Sequence, residues 1–420
     1  MTTVTFYAVR PECQDDVPKT KFKPKPGKTL SARRWHAAFS EEGYLDIAKV
    51  LSRIQRGGVH PSIKGVVWEF LLGCYDPKST FDERGELRLR RREQYGTWKA
   101  ECQAMEPTIG SGRILTTPVI TDDGKPVQDH STSGNDLQDN TSFPPDGPPL
   151  DKKVIQWKLV LHQIGLDVVR TDRALTFYEN QENDAKLWDI LSVYAWMDKD
   201  IGYCQGMSDL CSPMVMLFDN EADSFWCFER LMRRMRENFR STSSSIGVQS
   251  QLSTLSTIIK AVDPKLHQHL ENLDGGEYLF AFRMLMVLFR REFSFVDSMY
   301  LWELMWAMEY NPNIFSLYED ESGTNSNPST VTKMNDKLLK QYGKYERKNV
   351  QTGSKDPQTA LSIFLIAGVL ENRNKRLLKE AKGLDDVVKI LNEITGNLDA
   401  KKACNEALKL HKKYLSKTKK

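Results

Sequence analysis

The sequence predicts an all-α fold, and three observations carry that expectation. Apolar residues recur at three- and four-residue spacing along most of the chain, as one buried face of a helix requires. No stretch shows the sustained two-residue alternation of a half-buried strand. With 40% hydrophobic and 27% charged residues over 420 positions, the chain has the apolar content of a folded protein and not of a disordered one.

The elements follow in order. Residues 1–35 read as a basic, Pro-rich extended arm: Val17–His36 holds seven basic residues and no acid, and Pro24 and Pro26 oppose a helix there. One helical domain is expected over 36–420. Leu45, Ile47, Val50, Leu51 and Ile54 recur at helical spacing and stop at Gly57-Gly58. A second helix follows, with Ile63, Val66, Val67, Phe70 and Leu71 on one face and Gly73 as its stop. A third, Glu86–Ala104, is strongly charged, and its Arg90-Arg91-Arg92 run reads as a solvated face.

Residues 107–150 lose helical periodicity, carry a turn signal at Asp122-Asp123-Gly124 and end in a Pro-rich run, so they read as a mobile insertion. Helical patterns resume near Val154–Gln163. Asn183 is placed to cap a helix whose Leu187, Trp188, Leu191, Tyr194 and Ala195 share a face. A second polar insertion is expected over 311–357, and 401–420 form a Lys-rich end.

Composition also excludes functions. Lys and Arg number 59 against 56 Asp and Glu, so the whole chain lacks the charge of a nucleic-acid binder. Seven cysteines form no CxxC pair, which argues against both a disulfide framework and a zinc site. No signal peptide is indicated. A membrane-spanning helix needs about 20 apolar residues. Tyr278–Phe289 and Pro357–Leu370 both fall short of that and read as buried core helices. A cytoplasmic protein is the expectation.

Most catalytic motifs fail on inspection. Gly27-Lys28-Thr29 ends like a phosphate-binding loop, but Phe22 stands where that loop needs its first glycine. His267 and His269 fall on different faces of a helix and so do not form one metal site. No metal site and no GxSxG elbow is expected.

Two segments resist a purely structural reading: Ile164-Gly165-Leu166-Asp167-Val168-Val169-Arg170-Thr171 and Ile201-Gly202-Tyr203-Cys204-Gln205-Gly206-Met207. Singly, Asp167 and Arg170 could be a surface i,i+3 pair and Gln205-Gly206 a helix ending. Together, the I-x-x-D-x-x-R at 164–170 and the Y-x-Q-G at 203–206 resemble the paired signature of TBC-domain GTPase-activating proteins for Rab GTPases. Arg56-Gly57-Gly58-Val59 leading to Val67-Trp68 and Leu71-Leu72-Gly73 is similar to the family's opening block. Ser208-Asp209-Leu210, Phe225-Trp226-Cys227-Phe228, Arg291-Glu292-Phe293 and Leu301-Trp302-Glu303 resemble later blocks. One departure is Ile63-Lys64, where the family usually has an aliphatic residue followed by Arg; the charge is kept and the bidentate fork is lost. The arrangement of blocks looks closest to the plant and yeast branch.

The resemblance implies a single large multi-helix TBC domain and a function. The protein would complete the active site of a GTP-loaded Rab, with Arg170 and Gln205 as paired catalytic fingers, Asp167 holding Arg170, and Tyr203 and Gly206 shaping the Gln205 turn. It would then be an activator rather than a self-contained enzyme, acting in vesicle and endomembrane trafficking. It would need no cofactor of its own, because GTP and Mg²⁺ belong to the partner.

The residue types suit the chemistry. Intrinsic GTP hydrolysis lacks charge stabilisation at the transferring phosphoryl and a well-oriented water. An arginine supplies a permanent planar cation, and a glutamine amide offers both donors and an acceptor. A TBC domain that docks without accelerating hydrolysis is the alternative, and the intact Arg170 and Gln205 pair favours the catalytic one. Nucleic-acid binding through the basic ends is a third reading. It would call for aromatics interleaved with the lysines, and only Phe22, Trp35 and Tyr414 are there. Lys401–Lys420, with eight lysines and one acid, suggests either a solvated helix end or peripheral attraction to an anionic membrane.

Overall fold

In a computed structural model, the structure describes residues 7–127, 151–240, 247–319, 336–352 and 360–418. Parts of the two expected insertions (128–150, 320–335 and 353–357) and the last two lysines lie outside the described residues. Among those described, the all-α expectation holds: the only β features are three isolated bridges.

Along the chain the helices are α1 (Ala32–His36), α2 (Ile47–Gly57), α3 (Lys64–Leu71), α4 (Phe81–Met105), α5 (Lys152–Val168) and α6 (Gln181–Met197). Next come α7 (Met207–Leu217), α8 (Glu221–Phe239), α9 (Gly247–Val262), α10 (Pro264–Asn272), α11 (Phe282–Met286) and α12 (Phe295–Glu309). The last six are α13 (Ile314–Glu319), α14 (Asp336–Leu339), α15 (Lys344–Thr352), α16 (Leu361–Glu380), α17 (Leu384–Asn392) and α18 (Ala400–Thr418). The chain divides into two compact units, one of residues 1–90 with 226–420 and one of residues 91–225.

The larger unit is organised on α12, a helix apolar on nearly every side and buried from Phe295 to Met308 save Val296. It packs against α2, α3, α15 and α18, while α16 packs on α9 and α18. Trp68, Trp302 and Trp306 meet with centroids 4.9 to 6.0 Å apart. Lys64 lies in this core, fully buried, with Nζ 2.5 Å from Glu303 Oε1. Trp68 Nε1 donates to the same oxygen at 3.0 Å, and the Val59 amide donates to Oε2 at 3.2 Å. A buried ion pair tolerates desolvation only when its remaining valences are filled in this way. Lys64 is thus a core residue, joined to the Leu301-Trp302-Glu303 block.

Both basic ends are fastened to this unit. The amides of Lys21 and Phe22 donate to Asp297 at 2.8 and 2.7 Å, and the Phe22 ring lies 4.4 Å from that of Tyr300. The Leu30 amide donates to Gly58 O, and the His60 amide donates back to Leu30 O. At the other end, Lys413 and Lys417 donate to the carbonyls of Val262 and Ala261, closing orphan acceptors at the end of α9.

Several local expectations need correction. Tyr278–Phe289 is not one α-helix: Tyr278, Leu288 and Phe289 have positive φ, and the stretch holds only a 3-10 turn at Leu279–Ala281 and the short α11, with Leu279 and Phe282 exposed. Arg283 leaves the apolar run to pair with Glu292, which is why hydrophobicity alone misread it. Arg91 is buried and Arg92 makes a forked pair with Asp223, so that arginine run is not simply solvated. The α6 cap is Asn180, whose side chain accepts from the Glu182 amide, and Asn183 lies inside the helix. Val66 is 42% exposed and faces away from the α3 core.

The smaller unit is built on α5, α6 and α7. Trp188 Nε1 donates to Leu161 O and Trp157 Nε1 to Ser192 O, locking α5 to α6. Residues 107–127, read as the start of a mobile insertion, pack here. Ile109 and Ile120 are buried, and the Gly110 amide donates to Asp189. Apolar spacing could not reveal this segment, because it contributes two isolated isoleucines rather than a helical stripe.

Candidate functional site

The I-x-x-D-x-x-R segment is the last turn of α5 and the turn after it. Its register puts Ile164 and Val168 in the core and Asp167 beside them, 6% exposed. The helix ends at Val168 with Val169 as its cap, and Arg170 follows with its side chain 60% exposed. Arg170 Nη2 nonetheless donates to Asp167 Oδ1, so an exposed guanidinium is tethered to a buried carboxylate. Leu166 and Val169, both exposed, flank it on the helix surface.

The Y-x-Q-G segment enters α7. Gly206 precedes its first residue with φ of 101°, a left-handed conformation that a side chain would strain. Gln205 is exposed, whereas Met207 and Ser208 are buried. Tyr203 OH donates to Asp167 Oδ2 at 2.6 Å. Burial, and then that hydrogen bond, raise the Tyr203 pKa far above its ordinary value, so the phenol remains a donor at any physiological pH. One carboxylate therefore holds Arg170 with one oxygen and Tyr203 with the other, and all five residues singled out in the sequence belong to adjoining segments of one unit.

Residues not singled out complete the arrangement. Thr171 Oγ1 donates to Asp167 O, and shares a 2.8 Å hydrogen bond with Ser208 Oγ in the first turn of α7. Ser212 Oγ donates to Asp172 at 2.6 Å and receives Tyr178 OH at 2.8 Å, fixing the turn beyond Arg170. Gly165 is needed for close approach: a Cβ there would lie 1.7 Å from Leu115 O. Only their positions inside or next to the two segments could have marked Gly165, Thr171 and Ser208. Burial pushes the Cys204 thiol up, which disfavours its thiolate form. Among the described residues no cluster of His, Cys, Asp and Glu could hold a metal ion.

The Rab-GTPase-TBC domain matches residues 148–318, which contain both segments. The chain carries a TBC domain. The TBC homologues include Rab GTPase-activating protein 22 of Arabidopsis thaliana, 27% identical over 90% of this chain and 79% of that protein. TBC1 domain family member 17 of Homo sapiens is 30% identical over 73% of this chain, and GTPase-activating protein gyp7 of Schizosaccharomyces pombe 30% over 69%. The chain spans 43% of the human protein's length and 36% of the fission-yeast protein's. Relatives thus occur in a plant, yeasts and mammals, and no single branch is favoured over the others. The crystal structure of the Ypt/Rab-GAP domain of Gyp1p shares the TBC fold, with a TM-score of 0.57 at 17% identity, covering 90% of this chain and 96% of that one.

Proposed function

We propose that this protein accelerates GTP hydrolysis by a Rab-family GTPase, in the service of vesicle trafficking, with Arg170 and Gln205 as the groups it contributes. The observation that carries the reading is the shared carboxylate: Asp167 orients an exposed arginine while Tyr203, two residues from an exposed glutamine, donates to its other oxygen. Names of relatives that include "Rab GTPase-activating protein" agree with it.

Catalysis here is electrostatic and positional. Released from water onto the transferring phosphoryl, the Arg170 guanidinium meets charge that grows in the transition state. Its tether to Asp167 lowers the entropy lost on insertion while leaving the other donors of the guanidinium available. The Gln205 amide has both polarities, so it can accept from the attacking water and donate to the phosphate. Exposed Leu166 and Val169 offer apolar area beside the arginine for the GTPase surface to cover. GTP and Mg²⁺ remain on the GTPase.

A two-by-two single-turnover comparison tests this reading. Wild-type and Gln205→Ala proteins are set against a wild-type Rab and one whose switch glutamine is leucine. The leucine Rab should stay responsive to the wild-type protein, because the water-positioning amide arrives from outside. Gln205→Ala should lose about 10²–10³ on wild-type Rab, and Arg170→Lys about 10³–10⁵. A refractory leucine Rab together with a fully active Gln205→Ala would leave Arg170 acting alone. Full activity of Arg170→Lys would overturn the assignment.

A further inference from the structure

The two basic ends, from opposite ends of the sequence, meet around one concavity of about 480 Å³ in the larger unit. From the arm come Lys21, Lys23, Lys25 and Lys28. From the first turns of α18 come Lys401, Lys402 and Lys409, and Arg56 at the end of α2 completes the rim. Eight cations thus face three carboxylates, each already engaged. Asp297 takes two amides, Asp399 accepts from the Lys402 amide, and Glu406 accepts from Asn372.

The basin is built rather than accidental. The arm is held by the Asp297 amide bonds, by Phe22 against Tyr300, and by Thr29 Oγ1 donating to Gly57 O at 2.9 Å. Gly57 lets the arm approach, since a Cβ there would lie 2.7 Å from the Lys28 backbone. Lys401 donates to Arg56 O, tying α18 to the end of α2. Lys23, Lys25, Lys28, Lys402 and Lys409 are exposed, with no ion pair or side-chain hydrogen bond among the described residues. Fixing so many like charges around a concave wall costs stability, and it focuses a strong positive potential into the concavity.

We propose that this basin binds a small ring carrying several clustered phosphates, either free in solution or as the headgroup of a membrane lipid. The volume suits a small molecule and far exceeds a single phosphate. Ammonium groups on flexible stems are point charges that fit phosphates spread around a ring, whereas one planar oxyanion would favour an arginine fork. A nucleic acid would need bare aromatics to stack on, and Phe22 and Tyr300 lie against each other. The inference does not depend on the GTPase-activating reading.

Titration calorimetry with inositol hexakisphosphate and co-sedimentation with vesicles test it on the full chain. The vesicles carry either phosphatidylinositol bisphosphate or phosphatidylserine at matched charge. The Lys25→Ala/Lys402→Ala/Lys409→Ala variant should lose affinity by about tenfold or more. A control of equal charge, Lys78→Ala/Lys260→Ala/Lys379→Ala, should stay near wild type. Binding to the hexakisphosphate alone identifies a soluble ligand, and preference for bisphosphate over serine vesicles identifies the lipid. Equal losses in the two variants would overturn the proposal, as would bisphosphate vesicles binding no better than serine ones when the hexakisphosphate does not bind.

Discussion

Tyr203 OH donates to Asp167 Oδ2 at 2.6 Å, joining segments 36 positions apart in the chain. Neither residue need touch a nucleotide for this bond to matter, because Asp167 also sets the direction of Arg170. Tyr203→Phe keeps the ring and removes only the donor. It should lower stability by about 1 kcal/mol and lower the maximal rate of stimulated hydrolysis by about 10- to 100-fold. The KM for the GTPase should hardly move, since the contact surface is unchanged. Single-turnover titrations separate the two, and an unaltered maximal rate would show that Arg170 is directed without the tyrosine.

Gly165 faces Leu115 O at a distance no side chain can share. Alanine would improve helix propensity by up to about 1 kcal/mol, but it forces residues 113–116 away from α5. Overpacking of this kind costs about 1–3 kcal/mol, and the turn bearing Arg170 begins four residues on. Urea unfolding should show a lowered midpoint for Gly165→Ala, and limited proteolysis should find new cleavage near Leu115. An unchanged midpoint with no new cleavage would mean that the segment lifts away freely.

His411 lies between Tyr345 and Phe364, with ring centroids 4.4 and 4.9 Å away, and burial followed by repulsion from Lys348 pushes its pKa down to about 4. The unfolded chain therefore takes up a proton at higher pH than the folded one. Stability from the neutral ring is complete above about pH 6.5 and is lost as pH falls toward 4, by up to about 3 kcal/mol. Asp189 works in the opposite sense. Burial raises its pKa to about 6 against the pull of Lys99, so its contribution declines as pH rises through that value. The difference between wild type and His411→Phe isolates the histidine. Urea unfolding at neutral pH and near pH 5 should show a smaller acid loss in the variant, and parallel losses would refute the assignment.

Local chemistry in the sequence was enough for the helical class, for α2 and its stop at Gly57, and for the Leu187–Ala195 face of α6, because helical periodicity is a short-range signal. Asp167 and Arg170 could be paired from spacing alone, as they stand one turn apart. That Asp167 divides its two oxygens between Arg170 and Tyr203 was not readable, since it depends on how α5 approaches α7. Nor was the burial of Lys64 against Glu303, 239 positions away, or the meeting of the arm with α18 around one basin. A charged side chain looks solvated in sequence, because its environment is supplied by residues far along the chain. Desolvation and hydrogen-bond partners are properties of the packed molecule, and packing alone assigned them.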